Sequence, residues 1–410
     1  MIKQGFSTRV IHTDYQKKDA HNALQMPIYS NAAFAFETAE QMEAAFMGRS
    51  ADHSYSRISN PTVENFENRI KSITGAQSVT ALSSGMAAIS NLIFTIAKSG
   101  DNIVTSSHLF GNTYSFFKST IEAFGLEVRF CDLTNTEEII KHSDKRTIAI
   151  FFETITNPQL EVINIIDLST FARSAGILLI ADSTLTPPNI FSASKFGVDI
   201  EVISSTKIIS GGATSIGGLI IDYGSYNWDK NEKLKDYSKR FGPFAFYAKL
   251  RKEVFRNLGA CLSPYAAYLQ SLGLETMSLR YDAAAKNTLA VINYLQTEST
   301  VKQVNYPGLR SSAYHEIAKQ QFGEFPGTIL TFNLASKEAC FQFMNRLKLI
   351  CRSTNICDNR TLILHPASTI YCDFNSEIRE NIGVPDTLIR FSPGIESPED
   401  LISDLQQALN

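Results

Sequence analysis

Short β-rich runs alternate with helical patterns between about residues 62 and 222 of this 410-residue chain. Runs such as IAIFF and ILLIA are apolar at every position, which is typical of strands buried on both faces of a parallel sheet. Helical patterns such as MAAISNLIFTIAK and IIDLSTFARSAG separate the runs. The strand-like runs lie at 78–82, 102–106, 127–131, 148–152, 177–181, 201–205 and 217–221. This alternation predicts an α/β fold with a mostly parallel, helix-covered sheet.

The segments on either side of this block have a different pattern. Residues 1–61 form a predicted N-terminal arm in which ETAEQMEAAFMG indicates a short helix. From about residue 245 a long helical pattern precedes strands such as GTILTFNL and helices such as KEACFQFMNRL. We therefore predict an arm over 1–61, a large domain over 62–255 and a smaller α+β domain over 256–410.

The composition excludes several classes of partner. The chain has 44% hydrophobic and 19% charged residues and a formal net charge of -3. These values are near globular averages and provide no basic field for nucleic acid or an anionic membrane. The apolar runs are too short to cross a bilayer, and the N-terminus has no signal-peptide core. We expect a cytoplasmic protein with small-molecule partners, and no nucleic-acid or membrane partner.

The cysteines do not indicate a metal site or a disulfide framework. No two of them form a CxxC pair, and their surroundings are apolar or mixed. We therefore predict reduced thiols in the core and no metal. The six cysteines are Cys131, Cys261, Cys340, Cys351, Cys357 and Cys372.

Residues that follow the predicted strands carry anion-binding or reactive groups. Ligands of parallel sheets bind at the carboxyl ends of strands. Ser84, Gly85 and Met86 begin a helix after the first strand, where free amides and the helix dipole favour a phosphate. Asp182 follows the fifth strand, and Lys207 follows the sixth.

This set suits pyridoxal 5'-phosphate (PLP), which has a phosphate, a basic ring nitrogen and an aldehyde. Lys207 would form the Schiff base, and Asp182 would keep the ring nitrogen protonated. The hydroxyls of Ser204 and Thr206 would add phosphate contacts. Taken singly, the same features are also typical of a solvated lysine, a capped helix and a turn aspartate. Their order along the chain favours the cofactor.

At these residues the sequence resembles the cystathionine γ-synthase-like family of PLP enzymes of Cys/Met metabolism. The resemblance extends over essentially the whole chain, in the segments YSRISNPT, SSGMAA, ISSTK, LHPAS and IRFSPGIE. It implies a fold-type I PLP-dependent transferase, similar to aspartate aminotransferase, with a mostly parallel large domain and a smaller α+β C-terminal domain. In this family the residues that match Lys207 and Asp182 bind the cofactor aldehyde and ring nitrogen. The matching phosphate-binding residues are Ser84, Gly85, Met86, Ser204 and Thr206.

The resemblance also implies substrate contacts and an oligomer. Arg390 matches the arginine that holds the substrate α-carboxylate, Asn157 lies near the cofactor ring, and Asn355 matches a polar residue that contacts the carboxylate. Tyr55 and Arg57 match residues that reach into the neighbouring subunit's site, where they bind the phosphate and, for Tyr55, the substrate. A dimer with shared sites, usually paired into a tetramer, follows from this match.

Three positions depart from the family pattern. Phe110 replaces a tyrosine that stacks on the cofactor, so we expect it to contribute stacking to cofactor binding and catalysis without a phenol for proton transfer. The usual Asp-Asn-Thr is Asp-Ser-Thr here, with Ser183 in the middle, and Ile155 replaces a proline. A fourth departure, Tyr371 in place of a common histidine, has no interpretation from sequence.

Three further segments resemble O-acetylhomoserine sulfhydrylases within this family: GGATSIGGLIIDYGSYNW, FRNLGACLSPYAAYLQSLGLETMSLR and ICDNRTLILHPAST. They imply γ-replacement, in which O-acetyl-L-homoserine and sulfide give L-homocysteine and acetate. Phe110 leaves the acyl group open between acetyl and succinyl. The alternatives are a methionine or homocysteine γ-lyase, a cystathionine γ-synthase, and a PLP-binding protein without turnover. The presence of Lys207, Asp182 and Arg390 argues against the last of these.

Overall fold

A seven-stranded sheet forms the centre of the large domain. The computed structural model describes residues 4–13 and 21–410, so residues 1–3 and 14–20 of the predicted arm lie outside the described residues. The strands are β1 (Ser78–Leu82), β2 (Asn102–Thr105), β3 (Glu127–Phe130), β4 (Thr147–Glu153), β5 (Leu178–Asp182), β6 (Ile200–Ile203) and β7 (Gly218–Asp222). Their order is β1-β7-β6-β5-β4-β2-β3. β7 pairs antiparallel with β1 and β6, and the other neighbours pair parallel. All seven predicted strands are present, and the predicted α/β fold is confirmed.

Helices cover both faces of this sheet, because each buries one apolar face against it. Phe66 and Leu168 belong to the core on one face, and Leu92 and Phe117 belong to the core on the other. The helices of the arm and the large domain are α1 (Phe6–Ile11), α2 (Ala39–Phe46), α3 (Pro61–Thr74), α4 (Gly85–Ile96), α5 (Gly111–Ser115), α6 (Thr136–His142), α7 (Ile165–Ala175), α8 (Lys235–Phe241), α9 (Ala245–Lys249) and α10 (Phe255–Leu258). The predicted arm helix is α2, whereas α1 had no sequence prediction.

A five-stranded sheet forms the small domain. Its strands are β8 (Gln303–Asn305), β9 (Leu330–Asn333), β10 (Cys351–Arg352), β11 (Leu362–Leu364) and β12 (Leu388–Ser392). They lie in the order β10-β11-β12-β9-β8, with β10 and β11 parallel and the other pairs antiparallel. The helices of this part are α11 (Pro264–Leu295), α12 (His315–Phe322), α13 (Lys337–Arg346), α14 (Ser376–Asn381) and α15 (Pro398–Leu409).

The long helix α11 connects the two domains. Its residues Leu274 and Met277 pack into the core of the large domain, whereas Val291 and Leu295 pack into the core of the small domain. One rigid helix therefore sets the position of one domain relative to the other. The domain boundary at residue 256 stays a prediction, because α11 contributes to both cores.

The six cysteines all lie within the described residues and are free thiols. Cys340 and Cys357 are buried, as predicted, but Cys351 and Cys372 are exposed, so the prediction of core thiols was wrong for these two. Cys351 lies on the edge strand β10, and Cys372 lies in a surface turn. Among the described residues, no helix has the length and apolarity needed to cross a membrane.

Candidate active site

A cavity of about 300 Å³ lies between the carboxyl ends of β1, β4, β5 and β6 and the small domain. The sheet brings these four strand ends together because the strands run in the same direction. The cavity contains most of the site residues predicted from sequence: Ser84, Gly85, Met86, Phe110, Asn157, Asp182, Ser204, Thr206, Lys207 and Arg390. Residues distant in sequence thus form one site.

The N-terminus of α4 forms one corner of the cavity. The Ser84 side chain caps the helix by accepting a hydrogen bond from the Ala87 N–H at 3.0 Å. Gly85 and Met86 hold the first two helical positions, whose N–H groups have no intrahelical acceptor. A Cβ at Gly85 would lie 2.9 Å from the Cβ of Ser204, so only glycine allows this close approach. The helix N-terminus and Ser204 therefore form an anion-binding corner.

Thr206 lines the cavity, but its hydroxyl group is hydrogen-bonded to the backbone of Gly217. The hydroxyl donates to the Gly217 carbonyl at 3.1 Å and accepts from the Gly217 N–H at 3.0 Å. Its single proton is used within the loop, so in this arrangement Thr206 shapes the corner and donates no proton to an anion. Its role as a phosphate contact stays a prediction.

Lys207 reaches the cavity from the turn after β6. Its Nζ donates to Asn355 Oδ1 at 2.9 Å, and Asn355 in turn donates from Nδ2 to Asp358 at 2.9 Å. Burial, together with the positive charge of Arg390, lowers the pKa of Lys207. A lysine with a lowered pKa is suited to condensation with a carbonyl group and to proton transfer. The structure thus adds a contact between Asn355 and Lys207 to the predicted role of Asn355 at the carboxylate.

Arg390 lies within β12 and enters the cavity from the small domain. Its Nη1 donates to Asn157 Oδ1 at 3.2 Å, and its Nη2 donates to the carbonyl groups of Thr354 and Asn355 at 3.1 and 3.2 Å. The residue is 2% exposed, and burial lowers the pKa of Arg390 to about 10, so it remains charged at neutral pH. A buried guanidinium whose partners are neutral favours a carboxylate ligand.

Two carboxyl groups lie side by side on the large-domain wall. Asp182 and Glu153 are partners in the register between β5 and β4. Burial raises the pKa of both groups, and the charge of Asp182 raises the pKa of Glu153 further. Asp182 Oδ1 accepts from the Thr184 N–H at 3.0 Å and from the Thr184 hydroxyl at 2.6 Å. Glu153 was missed as a site residue, although its place at a strand end was a usable signal.

Phe110 lines the cavity after β2, where the sequence places the stacking residue. Its N–H donates to Glu153 Oε1 at 2.7 Å. Behind this segment, the buried Tyr371 directs its hydroxyl to the carbonyl groups of Leu109 and Asn157, at 3.1 and 3.0 Å. Tyr371 therefore joins the small domain to two loops of the cavity wall, which the sequence did not indicate.

Tyr55 and Arg57 lie outside this cavity in the single chain. Tyr55 is 43% exposed, and the Arg57 guanidinium lies 5.5 Å from the centre of its ring. Arg57 also donates to the carbonyl of Arg256 at 2.6 Å. The fold of one chain does not bring these residues to Lys207. Their role in a neighbouring subunit's site stays a prediction.

The charges and the shape of the cavity fit PLP. Lys207 and Arg390 are hydrogen-bonded to neutral groups, and so are Asp182 and Glu153. The two cations are therefore available for an aldehyde and a carboxylate, and a carboxylate is available for a protonated ring nitrogen. The corner at Gly85 has the geometry of an anion site, and its use by the phosphate stays a prediction. Fold and site together define a PLP-dependent enzyme of fold type I.

The chain belongs to the Cys/Met metabolism PLP-dependent enzyme family, whose model matches residues 7–410. A solved structure from Campylobacter jejuni contains N'-pyridoxyl-lysine-5'-monophosphate and superposes with a TM-score of 0.92. It is 32% identical and is matched over 99% of this chain and 100% of that one. The predictions of the family and the PLP cofactor are confirmed.

Relatives in this family carry out different reactions. The O-acetyl-L-homoserine sulfhydrylase 1 of Thermus thermophilus is 35% identical over 98% of this chain and 99% of its own length. An L-methionine γ-lyase of Fusobacterium nucleatum is also 35% identical, over 100% of this chain and 99% of its own length. The structure of the O-acetylhomoserine sulfhydrylase of the Wolinella succinogenes methionine biosynthetic pathway is 47% identical, with a TM-score of 0.77, and covers 86% of this chain and 99% of that one.

Proposed function

We propose that the enzyme converts O-acetyl-L-homoserine and sulfide to L-homocysteine and acetate. The charge inventory of the cavity carries this proposal. Among the described residues that line it, Lys207 and Arg390 are the two cations. With Lys207 assigned to the cofactor, Arg390 to the α-carboxylate and the partner's Arg57 to the cofactor phosphate, the described residues that line the cavity offer no further cation to a succinyl or phosphoryl group. A neutral acetyl ester matches the remaining wall, which is apolar at Ile155, Ile216 and Ile356.

Each polar residue of the site has a proposed task. Arg390 binds the substrate α-carboxylate through its guanidinium, with Asn157 and Asn355 setting its orientation. The Lys207 amine, once displaced by the substrate amine, accepts the α-proton at Nζ, and its lowered pKa leaves more of it in the basic form. When bound, PLP supplies the electron sink that stabilises negative charge at the α-carbon. Asp182 keeps a proton on the ring nitrogen.

The γ-substituent that leaves must suit a site with Phe110 in place of a phenol. Phe110 has no proton to give a leaving group, and acetate requires none, because its conjugate acid is about as strong as a glutamic acid side chain. The 47% identity to the Wolinella succinogenes sulfhydrylase supports the same choice. A cytoplasmic location belongs to the same proposal, as is usual for amino-acid biosynthesis.

The second candidate is a γ-lyase, which the Fusobacterium nucleatum relative supports. Incubation of the holoenzyme with O-acetyl-L-homoserine, with and without sulfide, separates the two functions. The sulfhydrylase yields homocysteine only when sulfide is present and forms little 2-oxobutyrate. Mainly 2-oxobutyrate, unaffected by sulfide, would replace our proposal with the lyase and make L-methionine the next substrate. O-succinyl-L-homoserine in a parallel reaction tests the acyl group.

We further propose a homodimer with shared sites, assembled into a tetramer, in which Tyr55 and Arg57 complete the partner's cavity. Both residues are exposed, and neither lines the cavity of its own chain, which supports this arrangement. The double variant Tyr55→Phe/Arg57→Ala and the variant Lys207→Ala should each be inactive. Mixed one to one, they should recover about one quarter of wild-type activity, because half of the dimers contain one intact site.

Two results define this complementation test. Wild-type protein mixed one to one with Lys207→Ala chains is the control for the competence of mixed dimers: it should keep about half of the activity per chain, because each wild-type lysine still meets an intact Tyr55 and Arg57. No recovery, despite mixed dimers detected by two affinity tags, would contradict shared sites.

A further inference from the structure

Glu153 lies in the cavity without a role in the chemistry described so far. One ring nitrogen pairs with one carboxylate, and Asp182, held by Thr184, has that position. Glu153 is 6% exposed and lies in register with Asp182 at the end of the neighbouring strand. A buried carboxyl group costs free energy unless its hydrogen bonds compensate. Its contacts therefore indicate what it does.

The Glu153 carboxyl group contacts two loops that both line the cavity. Oε1 accepts a hydrogen bond from the Phe110 N–H at 2.7 Å, and the backbone N–H of Asn157 also interacts with this group. Asn157 in turn accepts a hydrogen bond from Arg390 at 3.2 Å through its side chain. Glu153 thus connects the ring-stacking residue to the carboxylate-binding residue.

The neighbouring charges favour a neutral Glu153. Two ionised carboxylates on adjacent buried strand ends repel each other, so one of them keeps its proton. The two hydrogen bonds from Thr184 stabilise the ionised form of Asp182. Burial and the charge of Asp182 both raise the pKa of Glu153, while Tyr371, which also faces Glu153, stays a neutral phenol with its own pKa raised by burial. A protonated carboxyl group still accepts hydrogen bonds through its carbonyl oxygen.

We propose that Glu153 is a positioning residue that stays protonated, holds the Phe110 and Asn157 loops through its carbonyl oxygen, and leaves Asp182 as the single negative charge opposite the ring nitrogen. The inference concerns steps that every member of the family shares. It therefore holds whether the enzyme transfers sulfide or acts as a lyase.

Two substitutions at this position separate the carbonyl oxygen from the charge. Glu153→Gln is neutral and keeps a carbonyl oxygen at the same distance from the backbone. Glu153→Ala leaves the two N–H groups without their acceptor. The matched control is Glu201→Gln, because Glu201 is also buried, lies on the opposite face of the same sheet and accepts hydrogen bonds from the hydroxyls of Ser183 and Tyr223.

The measurements are the KM and kcat for the amino-acid substrate, the Kd of PLP and the visible circular dichroism of the bound cofactor. Glu153→Ala should raise the KM about 10-fold or more and weaken the dichroism band, because the Arg390 and Phe110 supports shift. Glu153→Gln should restore both quantities to within about threefold of wild type. The Glu201→Gln control should leave them unchanged.

If Glu153→Gln is as impaired as Glu153→Ala, the proposal is overturned, because this result would mean that position 153 needs a charged carboxylate. Wild-type KM and dichroism in Glu153→Ala would overturn it as well. Infrared spectroscopy of the apoenzyme provides a readout that does not need activity or the alanine variant. The wild type should show the C=O band of a protonated carboxyl group at pH 7 that is absent from Glu153→Gln, and no difference between the two spectra would contradict a protonated Glu153.

Discussion

The two walls of the cavity are built in different ways. On the large-domain wall, Glu153 and Asp182 end strands of one sheet, and Ser84 lies two residues after a third strand. On the small-domain wall, Arg390 lies inside β12, and Asn355 lies in a loop that Asp358 holds. Parallel strands bring their ends together by geometry alone. The second wall is in place only when the small domain is correctly docked.

Contacts across the cavity fix this docking. The Arg390 guanidinium binds carbonyl groups of its own domain and the side chain of Asn157 in the other. Lys207 of the large domain donates a hydrogen bond to Asn355 of the small domain. Tyr371 of the small domain donates to two carbonyl groups of the large domain. Substitutions on the two walls should therefore differ in whether they affect the cofactor or the substrate.

The largest effect is expected where the walls meet, at Lys207. Lys207→Ala removes the amine that we propose binds the cofactor and accepts the α-proton, so activity should fall by about 10³-fold or more. The visible absorbance of the lysine-bound cofactor should disappear from the spectrum of the purified protein. The exposed Lys195→Ala serves as the control, and activity retained by Lys207→Ala would exclude the assignment.

Arg390→Lys tests the small-domain wall. Lysine keeps the charge but loses the planar pair of donors, so the KM for the amino acid should rise roughly 10- to 100-fold. The Kd of PLP should change little, because the phosphate corner lies on the other wall. Steady-state kinetics and a cofactor titration measure the two effects, with the exposed Arg352→Lys as the control. A change in PLP binding larger than the change in KM would reverse the assignment.

Gly85→Ala tests the large-domain wall in the same two assays. The new Cβ would lie 2.9 Å from Ser204 Cβ, so α4 must move away from the phosphate corner. We expect the Kd of PLP to rise about 10-fold, with a smaller change in the KM of the saturated enzyme. Alanine has a higher helix propensity than glycine, so the substitution does not weaken α4 itself. A loss of PLP affinity can therefore be assigned to the clash at the corner. An unchanged Kd would show that the corner does not bind the phosphate.

The smallest effect on cofactor and substrate binding is expected on the face of the sheet opposite the cavity, where a substitution should change stability instead. Burial raises the pKa of Glu201 to about 7, so between the unfolded and folded pKa values the folded protein holds a proton that the unfolded chain releases. This contribution to stability is fully present below the pKa of the unfolded chain and is lost as the pH rises through about 7. From pH 5 to 8 the free energy of unfolding of the apoenzyme should therefore fall more in wild type than in Glu201→Gln, by about 2 kcal/mol. Urea denaturation at both pH values measures the difference, and equal pH slopes would count against a buried proton on Glu201.

The predictable part of the molecule follows from local rules. Apolar runs alternating with helical patterns predicted the seven strands, and residues after those strands predicted Ser84, Asp182 and Lys207 as site residues. These rules need no knowledge of packing, because a buried parallel strand must be apolar and its carboxyl end must face the ligand edge. Arg390 and Asn355 came from family resemblance, since nothing in the pattern of β12 distinguishes an arginine that enters a cavity.

By itself, the sequence determined the sheet, the family and, on the large-domain wall, the places of Ser84 and Asp182 but not that of Glu153. The tertiary structure decided which groups contact each other: Glu153 with the Phe110 loop, Asn355 with Lys207, and Tyr371 with two carbonyl groups more than 200 residues away. It also placed Tyr55 and Arg57 outside the cavity of their own chain. The physical reason is that secondary structure depends on neighbours in sequence, whereas hydrogen bonds between loops depend on how α11 and the two sheets pack together.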